Sequence, residues 1–351
     1  MAGGAEAQTA WRAAHVEPFA NLDCALCFHR ADGRVLALAT RPTVNGLETW
    51  ELGRSGWYRR APTQSPPART AAALGYDAAR RVIVLFGGLG SYGANLLDDT
   101  WEWDSVGWTN RTPANAPPAR NSAAAAFDEP RGVFVVFGGM GALGTLGDQW
   151  QWNGIAWTQD PLAGGSPGPR LGALMAFDRG RDRLVLFGGA GSSGAYDNDI
   201  WEHDGATWSP VSATGRPPKL RSASITFDAR RGRTVIYGGR SGGILSPSVV
   251  NTDVFEWDGS VWRAFASANG PGERLNAGFA CDERTGELVL HGGAFTGGTF
   301  RCEPTTHTWS PSLPAAPERA AIGVAANDLA GRTLYHTPYG THRWDHARQR
   351  W

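Results

Sequence analysis

Six arginines recur at one repeated place in this chain, each closing a proline-rich approach. They are PPAR at Arg69, PPAR at Arg120, PGPR at Arg170, PPKLR at Arg221, PGER at Arg274 and PER at Arg319. A guanidinium offers a planar fork of donors that matches carboxylate and phosphate. Gathered around one axis, six such groups would bind anions. A residue shared by nearly every copy of a repeat also has a plainer job, and tying strand starts to neighbouring backbone is the stronger expectation.

Residues that break the repeat are the better candidates for contact with a ligand, because loops rather than scaffold positions carry function. On the face that holds the arginines these are Asn21, Asp23, Arg41, Tyr92, Asn121, Arg240, Asn276, Phe295 and Tyr339. Asp99, Asp148, Asp199 and Asp253 share another repeat position and read as loop-closing hydrogen bonders. His342 and His346 flank Trp344, and His336 ends the preceding strand. No carboxylate or cysteine is spaced to complete a metal site with them. Glu287 and His291 lie four apart on one strand face, a weak pair. Cys24 and Cys27 form one C-x-x-C without a second pair, and Cys281 and Cys302 stand alone, so buried thiols in a reducing compartment are expected. The glycine pairs lead into no helix, which removes a phosphate cradle.

The elements that must position these residues follow from four signals repeating about every fifty residues. After the arginine comes a small-residue strand ending in aspartate, as in TAAALGYD to Asp77 and NSAAAAFD to Asp128. Next is an apolar run closed by two glycines: VIVLFGG, VFVVFGG, LVLFGG, TVIYGG and LVLHGG. It is too short for a helix and suits a strand covered on both faces. An aromatic strand, a polar turn and a tryptophan complete the unit. The seven-residue step runs Trp101–Trp108, Trp150–Trp157, Trp201–Trp208, Phe255–Trp262, Trp50–Trp57, Cys302–Trp309 and Trp344–Trp351. Alternation along it buries one face, and Asp-Gly or Asn-Gly between such runs makes a hairpin.

Four antiparallel strands per unit, seven units and no helical periodicity predict an all-β, seven-bladed β-propeller of four-stranded antiparallel blades. The expected blades are about 20–58, 68–110, 119–159, 169–210, 220–264, 273–311 and 318–351, preceded by a tail over 1–8 and a closing strand over 9–14 that joins the last blade. Antiparallel order places the arginines and the Gly-Gly ends on one face and tight turns on the other. The site is expected on the first, at the mouth of the central channel.

This ordered set, Pro-Arg, Gly-Gly strand, aromatic strand and spaced tryptophan, resembles the kelch repeat over residues 11–351. The resemblance implies the propeller fold and leaves function open, since kelch-type propellers include protein adaptors, carbohydrate-related enzymes and oxidases. The Glu-x-x-x-Asp-x-x-x-His run of kelch-type specifier proteins is absent, and no copper-ligand set like that of galactose-oxidase-like enzymes is assignable. No cofactor is expected.

With 33 basic and 33 acidic residues the formal charge is zero, which argues against nucleic acid or a membrane surface as partner. The start, MAGGAEAQTAWRAAH, lacks the pattern of a secretion signal, and no apolar run reaches a membrane span. The expectation is a cytoplasmic monomer that binds a protein, a peptide or a small anionic ligand on its Arg/Gly-Gly face. The alternatives are an enzyme (lyase, isomerase or sugar-directed) with its pocket at the channel mouth, and a carbohydrate-binding module.

Overall fold

Short apolar runs cut by turn residues can satisfy their backbone only by pairing with one another, and here they do so hairpin by hairpin. The computed structural model describes residues 24–40, 46–53, 56–90, 95–162, 164–241, 249–267, 269–293 and 298–311, and the backbone of three strands within 325–344. All of its described elements are strands, and the sheets are antiparallel.

Sheet 1 holds β1 (Ala25–His29), β2 (Arg34–Ala39), β3 (Glu48–Gly53) and β4 (Gly56–Arg59). Sheet 2 holds β5 (Arg69–Thr70), β6 (Ala73–Asp77), β7 (Val82–Gly90), β8 (Leu96–Trp103) and β9 (Trp108–Asn110). Sheet 3 holds β10 (Ala124–Asp128), β11 (Val133–Gly141), β12 (Gly144–Trp152) and β13 (Trp157–Asp160). Sheet 4 holds β14 (Leu174–Asp178), β15 (Arg183–Ala190), β16 (Tyr196–His203) and β17 (Trp208–Pro210). After the short β18 (Leu220–Arg221), sheet 5 comprises β19 (Ser224–Asp228), β20 (Arg233–Tyr237), β23 (Val254–Trp257) and β24 (Trp262–Phe265). The small strands β21 (Arg240–Ser241) and β22 (Val249–Val250) pair with β18 beside it. Sheet 6 holds β25 (Gly278–Asp282), β26 (Glu287–His291), β27 (Thr299–Glu303) and β28 (Thr308–Pro311). The seventh repeat is a three-stranded sheet of β29 (Ala325–Asn327), β30 (Thr333–Thr337) and β31 (Gly340–Trp344).

These sheets are consistent with propeller blades, and the glycine-pair runs are the second strands, as expected. Six of the sheets pack against one another in sequence order. The first strands touch in the order β1, β6, β10, β14, β19, β25, and β25 touches β1. Cys24 N donates to Asn276 O at 3.3 Å across that last junction. The tryptophans say the same. Trp108 Nε1 donates to Thr49 Oγ1 of the preceding sheet at 2.8 Å, Trp157 to Thr100 at 2.9 Å and Trp208 to Gln149 at 2.7 Å. Trp57 of sheet 1 makes the equivalent bond to Thr299 of sheet 6, at 2.7 Å. Sheet 6 therefore meets sheet 1 directly. The expected closing strand over 9–14 lies outside the described residues.

Burial explains why a ring forms at all. In sheets 1 to 6 the second strand is shielded on both faces, as at Val35, Val84, Val136, Val185, Val235 and Val289. A four-stranded sheet cannot achieve this alone, whereas neighbours stacked face to face can.

Candidate functional site

The arginine and the glycine pair turn out to be two halves of one joint. Gly138 has φ +63°, a left-handed backbone, and a Cβ built there would sit 2.5 Å from Arg170 O. Only glycine admits that approach. It lets Gly139 N donate to Arg170 O at 2.9 Å, as Gly88 N does to Arg120 O and Gly239 N to Arg274 O. The side chain works within its own sheet. Arg120 Nη1 donates to Gly138 O at 3.1 Å and to Asp148 at 2.7 Å, and Arg69 and Arg170 repeat the pattern with Gly87 and Asp99, and with Gly188 and Asp199.

Arg69, Arg120, Arg170 and Arg274 are all buried. Burial pushes the Asp99 and Asp148 carboxyls up, but the paired guanidiniums outweigh it and hold both below the usual carboxylate range. In the sixth sheet Gly298 takes the place of that aspartate, and Arg274 lies over the Phe300 ring, 5.2 Å from its centroid. Arg221 is a correction. Its strand pairs Leu220 with Ser241 and Arg221 with Arg240, whereas β5 pairs Arg69 with Gly90. Leu220 thus holds the buried arginine place, because PPKLR carries one residue more than PPAR before its arginine. Arg221 itself is only half-buried, beside the channel mouth.

The channel mouth is a cavity of about 330 Å³ on this same Arg/Gly-Gly face. Each of the six sheets of the ring contributes to its wall. Its narrow ring is set by Ala71, Ser122, Gly172, Ser222 and Asn276, all with φ between 51° and 63°. That shared bend turns each chain from its arginine into its first strand, and Ser122 N to Ala71 O, Gly172 N to Ser122 O and Asn276 N to Ser222 O link successive sheets. The polar residues that line the cavity are Arg69, Thr70, Ser122, Tyr196, Ser222 and Asn276, with Leu38, Leu85 and Leu174 among the apolar ones. In the sequence this wall corresponds to the residue or two after each arginine, and Asn121 and Asn276 are the expected site residues at those places.

Asn121 pairs with Met140 beside the mouth, and Asn276 is exposed in it. Arg240 donates to Glu273 at 2.5 Å on the rim. Asn21, Asp23, Arg41, Tyr92, Phe295, Arg319 and Tyr339 lie outside the described residues, as do the side chains of His336, His342 and His346. Glu287 and His291 do not cooperate: Glu287 accepts from Arg301 at 2.9 Å, and buried His291 meets Thr299 at 2.8 Å. The four cysteines are unbridged, and burial pushes the thiols of Cys27, Cys281 and Cys302 up to about 12. Among the described residues no group of three or more His, Cys, Asp or Glu is placed to hold a metal, and no helix is long and apolar enough to cross a membrane.

Compared with known proteins, the chain matches no family model and no curated protein.

Proposed function

We propose that this chain is a kelch-type propeller acting as a binding module, and that it takes a protein or peptide segment at the channel mouth on its Arg/Gly-Gly face. The observation that carries this reading is the mouth itself. Its lining combines small side chains, hydroxyl and carboxamide groups and leucines, and the one arginine in it, Arg69, is paired with Asp99, a lining suited to backbone amides and apolar side chains. The rim adds apolar anchors. Leu143, at the tip of the β11–β12 hairpin, is fully exposed, and Val249 on β22 is 65% exposed on the same face. Large exposed apolar side chains around a concave site are what a protein partner desolvates.

Peptides selected from a display library against the folded protein test the reading. Leu143→Asp and Asn276→Trp should each weaken the selected peptides by about tenfold or more, a loss of roughly 1.4 kcal/mol. Ile155→Asp, on an exposed turn of the opposite face, should leave binding unchanged. Sensitivity to Ile155→Asp with indifference to Leu143→Asp would place the site on the wrong face for this proposal.

A further inference from the structure

At the far end of the channel the first strand of each sheet turns into the second. The residue that follows the strand's last position is Arg30, Ala78, Glu129, Arg179, Ala229 and Glu283, in sheet order. Arginine, alanine, glutamate thus runs twice around the six-sheet ring. The four charges converge on the axis. Arg30 donates to Glu129 at 2.8 Å and to Glu283 at 3.0 Å. Arg179 Nε lies 2.7 Å from Glu129, and Arg179 also donates to Glu283. Each cation therefore meets both anions, joining sheets 1, 3, 4 and 6. The two alanines leave room for the longer side chains to cross.

All four side chains are between 19% and 33% exposed, so solvent screens the pairs less than it would on an open surface. Burial pushes the Glu283 carboxyl up, but Arg179 and Arg30 outweigh it and hold it below the usual range. Around the square lies a cavity of about 170 Å³ that Cys27, Tyr76 and Cys281 help to line. Arg30 also covers Tyr76, 5.8 Å from the ring centroid, and Ala31 N donates to the Tyr76 hydroxyl at 3.0 Å.

We propose that this alternating square of charges is a stopper: it shuts the turn-face end of the channel and latches sheet 6 to sheet 1, leaving a blind funnel that opens only on the Arg/Gly-Gly face. The stopper does not depend on what the funnel binds. A single lost charge leaves its two partners facing a half-buried gap, whereas inverting all four restores every pair with opposite polarity.

The thiol of Cys27, beside the square, reports on it. Modification by a small neutral maleimide, resolved by site with mass spectrometry, should be slow at Cys27 in the unaltered protein. Arg30→Glu or Glu283→Arg should speed it by about tenfold, through easier local opening, and lower the melting temperature. The fourfold inversion Arg30→Glu, Glu129→Arg, Arg179→Glu, Glu283→Arg should bring both readings back towards the original. Glu283→Gln keeps the shape, removes one charge and should fall between, which serves if a reversal fails to fold. Cys24, at the opposite end of the channel, should react at an unchanged rate throughout. The proposal fails if Cys27 reactivity ignores the single changes, if the fourfold inversion behaves like them, or if Cys24 accelerates in parallel, which is the mark of general loosening.

Discussion

Arg120 shows how a chemically potent side chain can be wholly committed to structure. Its donors go to Pro118 O, Gly138 O and both oxygens of Asp148, and the residue is buried. Breaking such a pair leaves a buried charge uncompensated, so these positions belong to the fold's stability. His203 is a second informative residue. It occupies the place taken by Trp103, Trp152 and Trp257 in three other sheets, and it packs 5.0 Å from Trp208. Burial pulls its pKa below the ordinary histidine value, partly opposed by Asp160, Asp204 and Asp128. A histidine whose folded pKa is depressed binds protons more readily unfolded, so its stabilising contribution is complete above about pH 6.5 and is lost as pH falls below that value. The melting temperature should drop between pH 7 and pH 5, and His203→Phe should flatten part of that drop. An unaltered pH profile in the variant would show that His203 is not the group responsible.

At the scale of the element, the joint between sheets depends on the backbone more than on any side chain. The second strand bulges at its glycine pair, with register shifts between Phe86 and Gly88, Phe137 and Gly139, and Phe187 and Gly189. At the first two, the bulge aims one N–H at the next sheet's arginine carbonyl, Gly88 N at Arg120 O and Gly139 N at Arg170 O. Gly138→Ala should cost about 1–3 kcal/mol, because it combines a left-handed backbone with a methyl group driven into Arg170 O. Gly132 has nearly the same φ, +66°, but nothing within 4 Å of a built Cβ. Gly132→Ala therefore isolates the backbone cost, roughly 1–2 kcal/mol, and should be the milder change. Urea unfolding decides it: the midpoint should fall further for Gly138→Ala with the slope unchanged. Equal losses would mean that the close approach contributes nothing.

For the whole molecule, the decisive contact is the one between sheets 6 and 1, since an open ring would leave sheet faces and strand edges unprotected. Trp57 and Thr299 are 242 residues apart in the chain yet repeat the bond that Trp108 makes to Thr49. A double-mutant cycle with Trp57→Phe and Thr299→Val should give a coupling of about 1 kcal/mol, matching the cycle with Trp108→Phe and Thr49→Val. Coupling at the second pair without coupling at the first would refute direct closure between sheets 6 and 1.

The strands themselves were legible because their causes are local. An apolar run such as VIVLF has period, length and bounding glycines that admit little besides a covered strand, and β7 formed there. The tryptophans read as packing between sheets for the same reason, and Trp57, Trp108, Trp157, Trp208, Trp262 and Trp309 are buried as that reading requires. Three matters lay beyond local pattern. Whether Leu220 or Arg221 took the buried place depended on pairing register, and a shift of one residue turns a side chain to the other face. That sheet 6 packs against sheet 1 depended on contacts between residues far apart in the chain, where one sheet's face meets the next. The charge square was invisible as a motif, because Arg30, Glu129, Arg179 and Glu283 become neighbours only when turns from four sheets converge on one axis.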